Sequence, residues 1–390
     1  MRVGVIGTGV AGSLFIAAAQ KKSGNIVVEG FDQVRSGERS ESGTGLNIGP
    51  NAVTSLRLHG GIALEALRAA SLPWRRWLIQ LTDGTPLIDL DLLTVAKDTG
   101  IRIRWADLYA VLRSTSVSCT NYGRTLEALE QDSSGRLVPV FRGENGGIVR
   151  YGAFDLLVAA DGRYSRLREI ADGPPESDFP GIGTWRLLVR ATADCPFDDL
   201  GQYFCGNARL LSFRLPNDYA YIAGSFPHLE SGPIPDELKT AAAQRHLFQP
   251  VSGLASPQVL WMLDKMERHF DEMNWARTQE ISILNQALGG RVLLLGDAAH
   301  ATFQTLGQGA TQAIEDALAA AAVLGAQPAT PESICANYQA RRQDRIEFMR
   351  SFTREATDTL LPGNDSIAGS LAKSREPFLT KLRKLYSDVA

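Results

Sequence analysis

The sequence predicts an α/β protein in which a Rossmann-like dinucleotide-binding domain is interrupted by an antiparallel sheet and followed by a C-terminal helical segment. Three observations carry this. The chain opens with a strand, RVGVIG, that runs directly into GTGVAG (Gly7 to Gly12) and a helical pattern. A second strand, turn and helix stand near the other end, in RVLLLGDAAHATFQTLGQGATQAIEDA from Arg291 to Ala317. Between the two, from about Pro174 to Asn274, the texture is of strands and turns.

The first helix is expected to run through Lys22 and stop at Gly24, with a second strand over Ile26 to Phe31, which completes a β-α-β start. In G-x-G-x-x-G, Gly7 supports the tight turn, Gly9 lets the backbone approach a pyrophosphate, and Gly12 lets helix and strand pack closely. The pyrophosphate would sit on the helix N-terminus, beside Val10 and Ala11. Asp32, at the end of the second strand, is the expected acceptor for ribose hydroxyls, with Glu29 the alternative. A helix is expected over Asn51 to His59 and another from Trp105 (WADLYAVLRSTS). FDLLVAADG, at Phe154 to Gly162, reads as a buried strand closed by Asp161 and Gly162.

In the middle piece, NARLLSFRLPNDYAYIAGS reads as a hairpin bent at Pro216, Asn217 and Asp218. After Arg291, Val292 to Leu295 form a buried strand that ends at Gly296 and Asp297. Gly307, Gln308 and Gly309 then precede an Ala-rich helix, where N–H groups and the helix dipole face a ligand. Charged helical patterns fill Pro331 to Ala390, broken at Leu361 to Asp365. The expected division is 1–173 and 281–330 for the nucleotide-binding domain, 174–280 for the inserted sheet, with residues from about 70–100 contributing to it, and 331–390 for the helical segment. The two pieces should enclose a cleft.

Composition narrows the classes. With 390 residues, 44% hydrophobic, 21% charged and a net charge of −3, the chain reads as a globular protein with no field for nucleic acid. No run approaches the roughly 20 apolar residues of a membrane span, and Val3 to Ile6 belong to a strand rather than a leader. Cys119, Cys195, Cys205 and Cys335 are widely spaced, as for reduced thiols in the cytoplasm, and neither they nor the five histidines show metal spacing. The assembly is left open between monomer and homodimer.

GTGVAG, DGRYSRLR at Asp161 to Arg168, and GDAAH with GQG between Gly296 and Gly309 together resemble the FAD-dependent, single-component aromatic-ring hydroxylases of the para-hydroxybenzoate hydroxylase fold. The resemblance spans most of the chain. It implies an FAD-binding domain carrying an inserted substrate domain, with the ADP part of FAD on the first motif. It implies Asp297 at the ribityl and pyrophosphate region, and the Gly307 to Gly309 turn near the isoalloxazine. DGRYSRLR is implied to serve the flavin and the nicotinamide cofactor, with Arg168 either holding its helix or touching cofactor. The implied reaction uses NADH or NADPH and O2 to hydroxylate an aromatic ring through a flavin C4a-hydroperoxide, so the protein must orient the ring and exclude water.

Three positions depart from the family pattern. Gln304 stands where proline is usual, between flavin and substrate, and adds an N–H and an amide. Arg104 is displaced by one residue from the family's flavin-contacting arginine, a place taken by Trp105. Asp32 sits one residue later than the usual acid. His300 is read as structural or flavin-adjacent, since no catalytic triad can be built around it.

On the hairpin, alternation puts Arg209, Leu211 and Phe213 on one face and Tyr219, Tyr221 and Ala223 on one face of the partner, so Arg209 and Tyr221 are expected to meet. A guanidinium and a phenol among apolar neighbours suit a flat ring bearing a carboxylate or phenolate. The plainer reading is an ordinary edge hairpin. The Arg-x11-Tyr spacing resembles that of the family's pyridine-ring oxygenases, such as 2-methyl-3-hydroxypyridine-5-carboxylate oxygenase. Tyr203 is a further expected substrate contact, and Trp185, Arg186 and Phe204 further cleft-liners. The expected substrate is a small aromatic or pyridine-type acid or phenol. A larger polycyclic metabolite or antibiotic is the second reading, and a flavin-binding redox sensor without hydroxylase activity the third.

Overall fold

The computed structural model describes residues 1–22, 26–36, 44–230, 232–251, 253–325 and 330–389. Arg2–Ile6 lies in the middle of a six-stranded sheet with the order Gln286–Ala287, Val292–Leu294, Leu156–Ala159, Arg2–Ile6, Val27–Phe31, Thr120–Asn121. All of these neighbours run parallel except the Gln286–Ala287 edge. Strands from both ends of the chain thus meet in one sheet. Their continuous apolar runs suit it, because Leu156 to Ala159 and Val292 to Leu294 are buried throughout, with the helices Val10–Gln20 and Gln308–Leu324 over one face and the strands Arg124–Gln131 and Leu137–Gly143 over the other.

The helix Val10–Gln20 packs against Gln308–Leu324 in one apolar core. It ends two residues before the expected Lys22, and the expected stop at Gly24 lies outside the described residues. The other expected helices form at Pro50–Leu58 and Trp105–Ser114.

A seven-stranded sheet has the order Asn274–Arg277, Ile182–Arg190, Tyr219–Pro227, Ala208–Leu215, Leu200–Cys205, Arg76–Leu81, Pro86–Asp91. Its hairpin turns at Asn217 and Asp218, both with positive φ (60° and 54°), which these residue types tolerate better than most. Arg76–Leu81 joins by pairing parallel to Leu200–Cys205, more than a hundred residues away. One face of this sheet packs on the helices Ala241–Phe248 and Pro257–Arg268. The other faces the nucleotide-binding sheet across a cavity. The tail forms the long helix Pro331–Ala356 and two shorter ones, Ser366–Ala372 and Phe378–Ser387. No described helix is long and apolar enough to cross a membrane.

Candidate active site

At one end of the cavity the first strand turns through Gly7, whose φ is +87°. A Cβ there would lie 2.5 Å from the Ala160 carbonyl oxygen, and one on Gly12 would lie 1.9 Å from that of Gly7. Gly12 therefore sets strand-to-helix packing, while Gly7, Gly9, Val10 and Ala11 line the cavity. No side chain caps this helix, so its first N–H groups are left for a ligand. Asp32 is buried. Its Oδ2 accepts from the Thr8 N–H (2.9 Å) and hydroxyl (2.6 Å), and its Oδ1 from the Val34 N–H (3.1 Å). Glu29 instead pairs with Arg2 at 2.6 Å.

The helix after Arg104 contributes a stripe absent from the sequence expectations. Trp105, Tyr109 and Arg113 line the cavity, with the two rings 4.5 Å apart and the Arg113 guanidinium 4.8 Å from Tyr109 and 3.6 Å from Asp32. Burial pushes the Tyr109 phenol up to about 12. Their i, i+4, i+8 spacing on one helix face was the available signal. Arg104, expected to reach the cofactor, does not line the cavity. It is held by Asp107 at 2.7 Å and lies over the Tyr219 ring at 4.8 Å, because the helix begins one residue later and turns its N-cap side chain aside.

In the second motif Asp161 and Gly162 line the cavity. Asp161 accepts from the Ser165 hydroxyl (2.5 Å) and the Leu167 N–H (3.2 Å), and burial raises its carboxyl above the usual range. Arg168 is buried and donates to the carbonyls of Ala298, Ala299 and Ser282 at 3.0, 3.1 and 2.8 Å. It ties the second motif to the third rather than reaching the cavity.

In the third motif Gly296 (φ +58°) and Gly307 (φ +63°) make turns that side chains rarely allow. Asp297 opens a short helix with its carboxylate unpartnered among the described residues and exposed to the cavity. A Cβ on Gly309 would approach it to 3.7 Å. Gln304 is exposed on the cavity wall, its carbonyl accepting from the Gly307 N–H at 3.0 Å.

Gln308, expected beside the cofactor, turns inward instead, and His300 takes the structural of its two readings. Gln308 is fully buried and accepts from Asn51 (3.1 Å) and Gln312 (3.0 Å). His300 meets Asp316 at 2.6 Å. Asp316 also accepts from the Gly296 N–H (2.9 Å) and from Arg342 of the tail (2.8 Å); burial pushes its carboxyl up, but the contacts with His300 and Arg342 outweigh that and hold it far below the usual range. Burial draws these polar groups together because each needs a partner once water is excluded.

Across the cavity, register decides the sheet wall. Arg209 stands opposite Ser225 and Tyr221 opposite Phe213, so the expected Arg209–Tyr221 cross-strand pair does not form. The three-residue turn sets this, pairing Leu215 with Tyr219. Both residues nevertheless share the cavity face, with the Phe213 ring tilted against Tyr221 at 4.9 Å between ring centres. Arg209 is 7% exposed and bonds only the Ser225 hydroxyl, at 3.3 Å; its Nε has no partner and no carboxylate pairs with it among the described residues. Burial pushes its guanidinium down to about 10, still charged at neutral pH. Arg186 lies on the same face. Tyr203 and Trp185 belong to the opposite face, in the core against the two helices, which corrects their placement as cleft-liners. Phe204 is buried in the apolar cluster of Trp74 and Trp77.

Together these walls enclose about 1120 Å³. The fold and site define a class, a nucleotide-binding domain and a substrate sheet closing on one shared cavity. Residues 264–353 match the family described as "FAD binding domain". The chain is 27% identical over 368 residues to an FAD-dependent urate hydroxylase of Klebsiella pneumoniae, covering 92% of this chain and 90% of that protein. It is 27% identical over 385 residues to the 3-amino-4-hydroxybenzoate 2-monooxygenase of Streptomyces cremeus, covering 93% and 88%. The crystal structure of Klebsiella pneumoniae HpxO with FAD and uric acid superposes with a TM-score of 0.78 at 22% identity, over 98% of this chain and 93% of that one.

Over most of its length the chain is similar to FAD-dependent aromatic-ring monooxygenases and shares their fold, and its residues 264–353 match an FAD-binding domain. The residues present fit the cofactor. The glycine turns leave space where any Cβ would intrude, and Asn47 Oδ1 and Thr302 Oγ1, both on cavity-lining residues, are buried without partners.

Proposed function

We propose that this protein uses NADH or NADPH and O2 to hydroxylate a small aromatic or N-heteroaromatic compound that carries a carboxylate or phenolate. The observation that carries this reading is Arg209, a buried cation on the substrate-sheet wall with no acidic partner among the described residues. An uncompensated buried charge is costly, and an anionic ligand supplies what the fold leaves out. Phe213 and Tyr221 offer ring faces beside it. Relatives are named for acting on aminohydroxybenzoate and hydroxybenzoate, which carry both groups, and on urate, a planar N-heteroaromatic anion.

FAD, when bound, supplies the redox chemistry, taking a hydride from the nicotinamide and delivering one atom of O2 to the ring. The N-terminal helix binds the pyrophosphate, with Arg113 at hand for its charge. Asp32 has one acceptor position left on Oδ1 for a ribose hydroxyl, and Asp297 accepts from the ribityl chain. Gln304 lies where flavin and substrate meet. Arg209 orients the ring by its acidic group, and the surrounding Leu211, Phe213 and Tyr221 keep water from the reacting carbon. The free thiols suit a reducing cytoplasm.

The test is a panel of benzene and pyridine carboxylates and phenols, scored for stimulated NAD(P)H oxidation and O2 uptake, with mass spectrometry of the product. A gain of one oxygen atom with an acidic or phenolic ring is expected. A yellow protein that consumes no oxygen with any of them overturns the reading.

A further inference from the structure

The last helix of the chain, Phe378–Ser387, buries Phe378, Leu382, Leu385 and Tyr386 on one face. That spacing is the one by which an amphipathic helix presents an apolar stripe. The helix is docked rather than loose. Phe378 lies 4.8 Å from Phe352 and 6.4 Å from Trp77 between ring centres, and Arg345, itself paired with Glu315, donates to the Leu385 carbonyl at 2.9 Å.

Tyr386 lines the cavity only a few residues before the end of the chain. It belongs to the same apolar cluster as Trp77, Phe213, Tyr221 and Leu306, on the substrate side. The residue is 2% exposed, yet its hydroxyl makes no hydrogen bond among the described residues. Among these apolar neighbours a phenylalanine would pack as well, so what the tyrosine adds at the cavity is a donor and an acceptor. A tyrosine in such a place has a use for its oxygen when something occupies the cavity.

We propose that Tyr386 is a specificity-determining residue of the substrate pocket: the C-terminal helix forms one wall of it, and the phenol hydrogen-bonds a polar substituent of the aromatic ring, a hydroxyl, amino or ring-nitrogen group, away from the anion held by Arg209. This rests on the sheet face being the substrate wall. Arg209 reads the charge of the ring and Tyr386 reads its substitution.

The test uses the FAD-loaded full-length protein and the perturbation of its flavin spectrum by benzoates and pyridine carboxylates, each with or without a hydroxyl or amino group at each ring position. The wild type is expected to prefer the substituted ring at one position. Tyr386→Phe should erase about tenfold of that preference, while the unsubstituted parent binds as before and FAD content is unchanged. Tyr386→Leu should admit a bulkier group at that position. A responding wild type beside a Tyr386→Phe protein that keeps the whole preference overturns the inference and leaves the Arg209 reading intact. Loss of FAD from Tyr386→Phe assigns the hydroxyl to the cofactor and overturns it too. A wild type whose flavin no compound perturbs overturns both.

Discussion

One wall of the cavity presents backbone and the opposite wall presents side chains, and they differ in how far along the chain their parts are drawn from. The nucleotide-side wall is built on turns at Gly7, Gly296 and Gly307, each a short local motif leading into a helix. The substrate wall is made of Arg186, Arg209 and Tyr221 on three strands of one sheet, with Trp77 from far earlier in the chain and Tyr386 from its end. On the proposed reading, the cofactor is met by glycine turns whose geometry tolerates no added side chain, helped by Asp32, Arg113 and Asp297, and the substrate by residues that can be exchanged without disturbing those turns.

Substitutions can break this contrast, and the largest effect belongs to the backbone wall. Gly12→Ala puts a Cβ 1.9 Å from the Gly7 carbonyl oxygen, a clash no rotamer relieves, so the protein is expected to be recovered without flavin or unfolded. The ratio of flavin to protein absorbance reads this directly; wild-type stoichiometry would show the packing to be more forgiving than its geometry. Next comes Arg342→Met, behind the same wall. Arg342 is fully buried between Glu315 and Asp316, and removing it leaves unpaired buried charge, at a cost of about 3–5 kcal/mol. Chemical denaturation of the FAD-loaded protein measures the loss, and a midpoint equal to wild type counts against the network as a support for Gly296.

On the substrate wall the effects should be smaller and confined to the ligand. Arg209→Met is expected to weaken an acidic ring by about 1.5–3 kcal/mol, the range for a hydrogen bond to a charged group, with FAD content unchanged. Flavin titration against a benzoate and its amide separates charge recognition from general packing, and equal loss for both would remove the guanidinium from the account. Gln304→Ala, at the seam between the walls, should change KM or product ratio by a few fold, about 1 kcal/mol or less, since its side chain is exposed and makes no hydrogen bond among the described residues. Tyr203→Phe should leave substrate affinity within about twofold, because Tyr203 lies on the far side of the sheet; a larger effect would mean that the two faces are coupled.

The contrast also explains what could be read without coordinates. Gly7, Gly9, Gly12, Asp297 and Gly307 stand in contiguous stretches whose strand, turn and helix signals act over a few residues, and the structure puts Gly7, Gly9, Asp297 and Gly307 at the cavity with Gly12 packed behind them. The substrate wall was legible only by face. Alternation put Arg209, Phe213 and Tyr221 on one side of the hairpin correctly, whereas the pairing of Arg209 with Ser225 follows from counting outward from Leu215 and Tyr219. The same alternation gives no sign of which face of Leu200–Cys205 is inward, and Tyr203 went to the helix side while Gln202 went to the cavity. Arg104, the N-cap just before the helix Trp105–Ser114, pairs with Asp107 and leaves the cavity to Trp105, the residue the family pattern put in the arginine's place.

By itself the sequence determined the two nucleotide-binding motifs and the antiparallel texture between them, because glycine turns, buried apolar runs and helix starts depend on neighbours in the chain. Only the tertiary structure decided that the stretch expected from residues 70–100 joins the middle sheet by pairing Arg76–Leu81 parallel to Leu200–Cys205, that Arg168 and Arg342 brace the third motif from behind, and that Tyr386 reaches the cavity. Those contacts are between distant segments. They are chosen by which surfaces can be buried together and which buried polar groups then find partners, and neither quantity is written in any local stretch.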